Sequence, residues 1–264
     1  MSKLKASRRR FLMMGAAAGL GACASVSRSE AAGPWGRAKE IGRSVSAPKF
    51  PARRMLVTDF GAVGDGVTKN TTAFAEAIKA CADAGGGQVV VPEGRYLTGA
   101  IHLMSNIDLH VEEGAVILFS TDPADYPLVF TRYEGVELWN YSPLIYARDA
   151  HNVAVTGAGL LDGQGSNEHW WPWCGAERFG WREGTGSQTP DRQALFQMAE
   201  EGVPVEDRVF GEGHYLRPNF IEFYDCDTVM VEGVHLHNSP CWNIHPVLSK
   251  NIIVRNVTVF GHGP

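Results

Sequence analysis

The chain has 264 residues, enough for one large domain or two small ones. Hydrophobic residues make up 44% and charged residues 20%, which excludes a disordered chain and predicts a folded body. A net charge of −5 without a basic stripe excludes nucleic acid as a partner, and an acidic polymer could be held only through local Arg and Lys.

In chain order, residues 1–31 read as an export signal and stand apart from the fold. Lys3, Lys5 and Arg8 to Arg10 precede a short apolar run, Phe11 to Leu20, too short to span a bilayer. Ser7-Arg8-Arg9-Arg10-Phe11-Leu12 resembles a twin-arginine signal. Leu20-Gly21-Ala22-Cys23 resembles a lipobox, which would lipidate Cys23 and tether the protein to a membrane; cleavage near Ala32 would instead discard Cys23. Either way the product is exported: periplasmic, an outer-membrane lipoprotein, or secreted. Residues 32–53 are expected to be a flexible linker, and the ordered domain is expected over 54–264.

That domain opens with a short strand at Met55-Leu56-Val57 and a loop, Asp59 to Gly66, with a turn at Asp65-Gly66. One helix follows, capped at Asn70 or Thr71, with Phe74, Ala77, Ile78 and Cys81 on one face and Gly85-Gly86-Gly87 at its end. Glycines behind a helix leave no N-terminal amides for a phosphate, so a nucleotide loop is excluded. Short strands come next: Gln88 to Val91, Tyr96-Leu97, Ile101 to Leu103, Ile107 to Val111 and Ala115 to Phe119. No second helix is predicted before residue 190.

A repeat narrows the fold class. Asp227 to Leu236 matches Lys250 to Val259 at an offset of 23 residues: Val229 with Ile252, Val231 with Val254, Val234 with Val257, Leu236 with Val259. His151 to Gly157 repeats the same opening. Apolar positions two apart, then three apart, fit one coil of a parallel β-helix that turns a corner, and a β-sandwich stays open on this pattern alone. The five cysteines form no CxxC pair, so no zinc site and no metal is expected, and buried free thiols are the simplest reading.

Val57 to Gly66 and the helix ending in Gly85-Gly86-Gly87 resemble the N-terminal cap of pectin-active β-helix proteins. Pro143 to Tyr146, Gly157 to Gly165, Arg217-Pro218 and Ser239 to His245 are similar to the polygalacturonases and relatives of glycoside hydrolase family 28. The resemblance runs from about Val57 to Pro264, with an irregular stretch near 170–212. It implies an all-β, right-handed parallel β-helix with an N-terminal capping helix. It also implies hydrolysis of α-1,4-galacturonosyl links in pectic polysaccharide, with inversion, by two carboxyl groups about 6.5–9.5 Å apart. No cofactor is implied, and a monomer is expected. The family's acids lie in an Asn-x-Asp-Gly-x-Asp segment and a following Asp-Asp pair, both expected after Gly261-His262-Gly263-Pro264. No catalytic residue is therefore assigned in this chain. It reads as an N-terminal part, expected to be inactive and aggregation-prone alone, because its last rung would leave strand edges and apolar interior uncovered. The alternatives are a pectate lyase on the same fold, or a non-catalytic carbohydrate-binding or tailspike-like β-helix.

Three residues are candidate substrate contacts. His245 would hydrogen-bond a sugar or be satisfied by its neighbours. Trp242 would line a subsite or pack in the core. Arg217 would pair with a galacturonate carboxylate or anchor its loop. His169-Trp170-Trp171-Pro172-Trp173, with Phe179 and Trp181, would stack sugars or pack against the flank. Asp162, Asp225 and Asp227 read as turn residues.

Overall fold

The computed structural model describes residues 33–264 and divides between Ser46 and Ala47 into two units. The export signal and Cys23 lie outside the described residues. In the first unit helix α1 (Pro34–Ser44) starts on Pro34, whose missing N–H is no loss in a first turn, and buries no residue. The stretch 32–53, expected to be a flexible linker, thus contains a helix. Its last residues belong to the body. Pro48 is buried, Lys49 N–H and C=O both bond the Asn152 side-chain amide at 2.8 and 2.7 Å, and Gln88 N–H donates to Arg53 O at 2.9 Å. These backbone bonds draw in a segment that composition alone marks as mobile.

The body, Ala47–Pro264, is a right-handed parallel β-helix, as the resemblance implied. Each full coil visits three sheets in turn. The first sheet stacks Arg54–Leu56, Gly87–Val91, Ile107–Val111, His151–Gly157, Asp227–Glu232 and Lys250–Arg255. The second stacks Asp65–Lys69, Gly94–Thr98, Ala115–Phe119, Leu160–Asp162, His235–His237 and Thr258–Phe260. The third stacks Ile101–His102, Ile145–Arg148, Ile221–Tyr224 and Ile244–Val247. Every pairing within these three sheets is parallel. The repeat is the register itself: Val229 faces Ile252, Val231 faces Val254 and Leu236 faces Val259, which removes the sandwich reading.

Alternate residues along each strand point inward and line up between coils. One ladder runs Val89, Leu109, Val155, Val231, and another Tyr96, Ile117, Leu161, Leu236. Each aliphatic rung is solvent-free and worth about 1.5–3 kcal/mol by burial. In the last coil the matching positions are open, and Val259 is 51% exposed. Over the first coil lies helix α2 (Thr71–Asp83), which buries Phe74, Ala77, Ile78 and Cys81 as its spacing predicts. Asn70 precedes it but makes no side-chain cap. Its amide instead accepts from Val63 N–H at 2.7 Å and donates to Thr68 O at 2.8 Å, closing the loop before the helix. Gly85 to Gly87 all have positive φ, and a Cβ on Gly86 would press on Asn106 O, so the exit needs glycine.

After the first coil, the corner from the first to the second sheet is two or three residues long in every coil. At Gly157 and Gly233, both with positive φ, a Cβ would collide with the carbonyl oxygen of the coil below. The corner from the second to the third sheet carries the long excursions, 120–144 and 163–220. The first holds an antiparallel hairpin, Leu128–Tyr133 with Val136–Tyr141. The second holds helix α3 (Gln188–Glu200) and the strand Val209–Phe210, which pairs with the hairpin.

Candidate functional site

Both excursions lean over the outer face of the third sheet. There the register stacks His102, Tyr146, Glu222 and His245 into one outward ladder. The neighbours Ile145 and Ile221 point inward and are solvent-free, which forces these four side chains outward.

The hairpin covers the middle of the ladder. Tyr146 Oη donates to Phe130 O at 2.6 Å, and Tyr224 Oη donates to Glu137 at 2.6 Å. Burial, and then that bond to Glu137, push the Tyr224 hydroxyl up to about 12, so it stays a donor. At the N-terminal end His102 Nε2 lies 2.9 Å from Ser142 Oγ, and burial lowers its pKa, which keeps the ring neutral.

Glu222 is the hub. It is 0% exposed, yet its carboxylate meets Thr131 Oγ1 at 2.5 Å, Asn219 Nδ2 at 2.8 Å and His245 Nδ1 at 2.9 Å. His245 Nδ1 lies 2.9 Å from both Glu222 Oε2 and Asn219 Nδ2, so this nitrogen is taken up inside the cluster and Nε2 is the one left for another partner. His245 is therefore clamped in orientation at the open edge of the ladder. Trp242 stands beside it, ring centroids 4.8 Å apart and planes at 77°. Trp242, just before the strand Ile244–Val247 of the last coil, is 49% exposed.

Arg217 is buried and fully engaged at one side: Nε donates to Gln188 Oε1 at 3.0 Å and Nη1 to Pro240 O at 2.8 Å. It anchors the returning chain while still lining a cavity of about 60 Å³ with Arg132, Glu134, Gln188, Asn219, Cys241 and Trp242. The structure thus brings His245, Trp242 and Arg217, the three candidates drawn from the amino-acid sequence, to one place.

The aromatic run belongs to the flank. Trp170 and Trp171 are buried, Trp171 Nε1 donates to Ser239 O at 2.9 Å, and Trp170 packs edge-on against Tyr126 and Trp173. Asp162 accepts from Gln164 N–H and Asn238 Nδ2, and Asp225 sits in a positive-φ turn. Asp227 accepts from Asn251 Nδ2 at 2.7 Å, which, ahead of its other partners, holds its carboxyl below the usual range. All three acids serve corners. Cys81, Cys174, Cys226 and Cys241 are free thiols, and burial pushes Cys241 up. Among the described residues no cluster of three or more His, Cys, Asp or Glu could hold a metal ion.

Sequence reasoning passes over Glu222, Thr131, Asn219 and Arg132. A signal exists for the first: Glu222 stands 23 residues before His245, the same offset as the recognised repeat.

A family model described as rhamnogalacturonase A/epimerase, pectate lyase-like, matches residues 55–111. A solved structure of a hyperthermoactive exopolygalacturonase from Thermotoga maritima is similar at 55% identity and a TM-score of 0.84, over 86% of this chain and 51% of that one. A probable polygalacturonase from Vitis vinifera is 32% identical over 81% of this chain and 38% of its own length. A family 28 exopolygalacturonase from Yersinia enterocolitica shares the fold at 22% identity, with a TM-score of 0.58 over 80% of this chain and 39% of that one. The chain thus spans about half, or less, of the length of the relatives it matches.

Proposed function

We propose, starting from the chain's membership of the polygalacturonase family (glycoside hydrolase family 28), that the protein hydrolyses α-1,4-galacturonosyl linkages of pectin from chain ends. The observation that carries this reading most is the 55% identity to a protein named as an exopolygalacturonase.

The outer ladder of the third sheet is the substrate face in this reading. Trp242 offers a half-exposed ring on which a sugar can stack, and His245, held by Glu222, offers Nε2 to a hydroxyl. Glu222 itself is sealed behind the hairpin and orients His245 instead of touching substrate. Hydrolysis with inversion needs two carboxyl groups with room for a water between them. The family pattern implies that they follow Pro264, and a coil stacked on Ile244–Val247 would set its outward side chain about 4.8 Å from His245. Export through the signal in 1–31, with Cys23 as a lipid anchor and the protein a monomer, completes the reading.

Digestion of polygalacturonic acid and reduced trigalacturonate by the full-length protein tests it. Release of monogalacturonate, first seen by NMR as the inverted anomer, is expected. A chelator-sensitive rise in ultraviolet absorbance would show an unsaturated product and a lyase. Binding without turnover would leave a carbohydrate-binding protein.

A further inference from the structure

Helix α1 has an apolar face that the proposed hydrolysis does not use. At about 100° per residue, Ile41, Pro34, Ala38, Gly42 and Trp35 fall in that order over an arc of about 120°. Arg37 borders this stripe beside Ile41, and Lys39 borders it beside Trp35. Arg43, Glu40 and Ser44 lie on the opposite face. The large apolar side chains are open: Trp35 is 82% exposed and Ile41 53%. Arg37 and Glu40 stand 3.7 Å apart and both are exposed, and an ion pair of this kind holds the arginine only weakly. No residue of α1 is buried, so the stripe and its basic borders still await a partner.

Size and charge narrow that partner. A helix of this length, about 16 Å by 10 Å, offers a stripe on the order of 200 Å², where a stable protein interface buries about 800 Å² on each side. A bilayer surface sets no such minimum, because headgroups and acyl chains close around a shallow helix. The helix carries three basic residues and one acid, whereas Ala47–Pro264 holds 27 Asp and Glu against 15 Lys and Arg. An anionic surface repels such a body, so attraction to it has to come from the N-terminal unit. A tryptophan at the edge of an apolar stripe, with cations along both borders, suits a helix lying in a headgroup layer. Among the described residues no helix is long and apolar enough to cross a membrane, which leaves α1 the surface and not the interior.

We infer that helix α1 binds an anionic phospholipid surface: Trp35, Ala38 and Ile41 enter the headgroup boundary, and Arg37 and Lys39 meet lipid phosphates at its two edges. Val45 and Ser46 alone join the helix to the body, so a seated helix keeps the body at the membrane. The attachment needs no acyl chain on Cys23 and is independent of the pectin reading.

The test uses the full-length protein beginning at Gly33, so that neither Cys23 nor the apolar run Phe11 to Leu20 contributes. It is sedimented with vesicles of equal parts phosphatidylglycerol and phosphatidylethanolamine, with phosphatidylcholine vesicles as the neutral control. Wild type is expected to bind the anionic vesicles and to be released by salt. The double variant Trp35→Gln/Ile41→Gln is expected to partition about tenfold or more weakly, since two large apolar side chains leave the bilayer. Arg37→Gln and Lys39→Gln are each expected to weaken anionic binding about fivefold at low salt and to leave neutral vesicles unaffected. The melting temperature and the turnover of trigalacturonate should match wild type throughout, because the helix buries nothing. If wild type ignores anionic vesicles, or the double variant binds them as wild type does, the inference is wrong while the pectin reading stands. A double variant that melts lower would place the helix on the acidic body, and one that changes the oligomeric state would place it against a second copy; either result also overturns the inference.

Discussion

Two outer faces of the same solenoid each bury a carboxylate, and they do it in opposite ways. On the first sheet Asp108 accepts from Gln88 Nε2 and Thr156 Oγ1, both at 2.8 Å, with His110 reaching Thr156 from the next position. The strand neighbours supply these bonds from one ladder to the next, and burial is the main force raising the Asp108 pKa. On the third sheet Glu222 draws its partners from three separate segments: the hairpin, the returning chain at Asn219, and the next coil at His245. One acid is tied within its own sheet; the other ties the insertions to the sheet. A buried carboxylate on a solenoid is therefore not a functional sign by itself. What distinguishes Glu222 is that its partners end at a cavity and a half-exposed indole.

The contrast breaks most sharply at Glu222. Glu222→Ala is expected to lose about 3–5 kcal/mol in chemical denaturation, because three polar partners lose a buried carboxylate at once. Glu222→Gln, which keeps the shape, is expected to lose about 1–2 kcal/mol. Wild-type stability in Glu222→Ala would mean that the insertions hold the face without it. Asp108→Asn is expected to behave differently, with no loss beyond about 1 kcal/mol at neutral pH and a gain where desolvation dominates. The sign follows from the raised pKa. The folded state holds its proton above 3.8, the unfolded state releases it, and the native state loses stability as pH rises from there through the folded value. Any advantage of Asp108→Asn over wild type should therefore shrink as pH falls toward 3.8 in melting curves. A penalty that deepens with rising pH would reverse that assignment. The smallest effect is at a corner of the first sheet. Thr228 has φ +61°, where the neighbouring coils carry Asn152 and Asn251 at φ +56° and +54°. Thr228→Asn is expected to gain about 0.5–1 kcal/mol by removing a β-branched residue from the left-handed region. An unchanged melting temperature would show that the bond from Thr228 to Asp227 compensates.

The solenoid is legible in the amino-acid sequence because its signal is local and repeated. Apolar residues two and three apart recur at an offset of 23, and the capping helix shows a single apolar face closed by glycines. The hairpin is not legible. Its turn is Glu134-Gly135 with φ +45° and +92°, and glutamate in that conformation departs from the Asn-Gly and Asp-Gly pairs that mark such turns. Without the hairpin, Thr131 and Arg132 have no place over the third sheet. Of the site, His245, Trp242 and Arg217 stand out through resemblance more than through pattern. Glu222 is hidden because Ile221-Glu222-Phe223-Tyr224 reads as an apolar strand with one polar outlier, and only the partner segments explain why a carboxylate survives there. Trp242 is ambiguous because a tryptophan beside a strand gives no hint of which end of the rung it occupies.

The glycine-lined corner constrains how such a protein can change. Where Gly157 and Gly233 let one carbonyl nestle against the next coil, no extra residue can be threaded without prising the stack apart. Room for additions lies at the opposite turn, between the second and third sheets, and beyond the capping helix the long excursions, 120–144 and 163–220, are found there. New recognition elements can thus be grafted beside the outer ladder while the interior columns keep their spacing, so a change in the insertions need not disturb the scaffold.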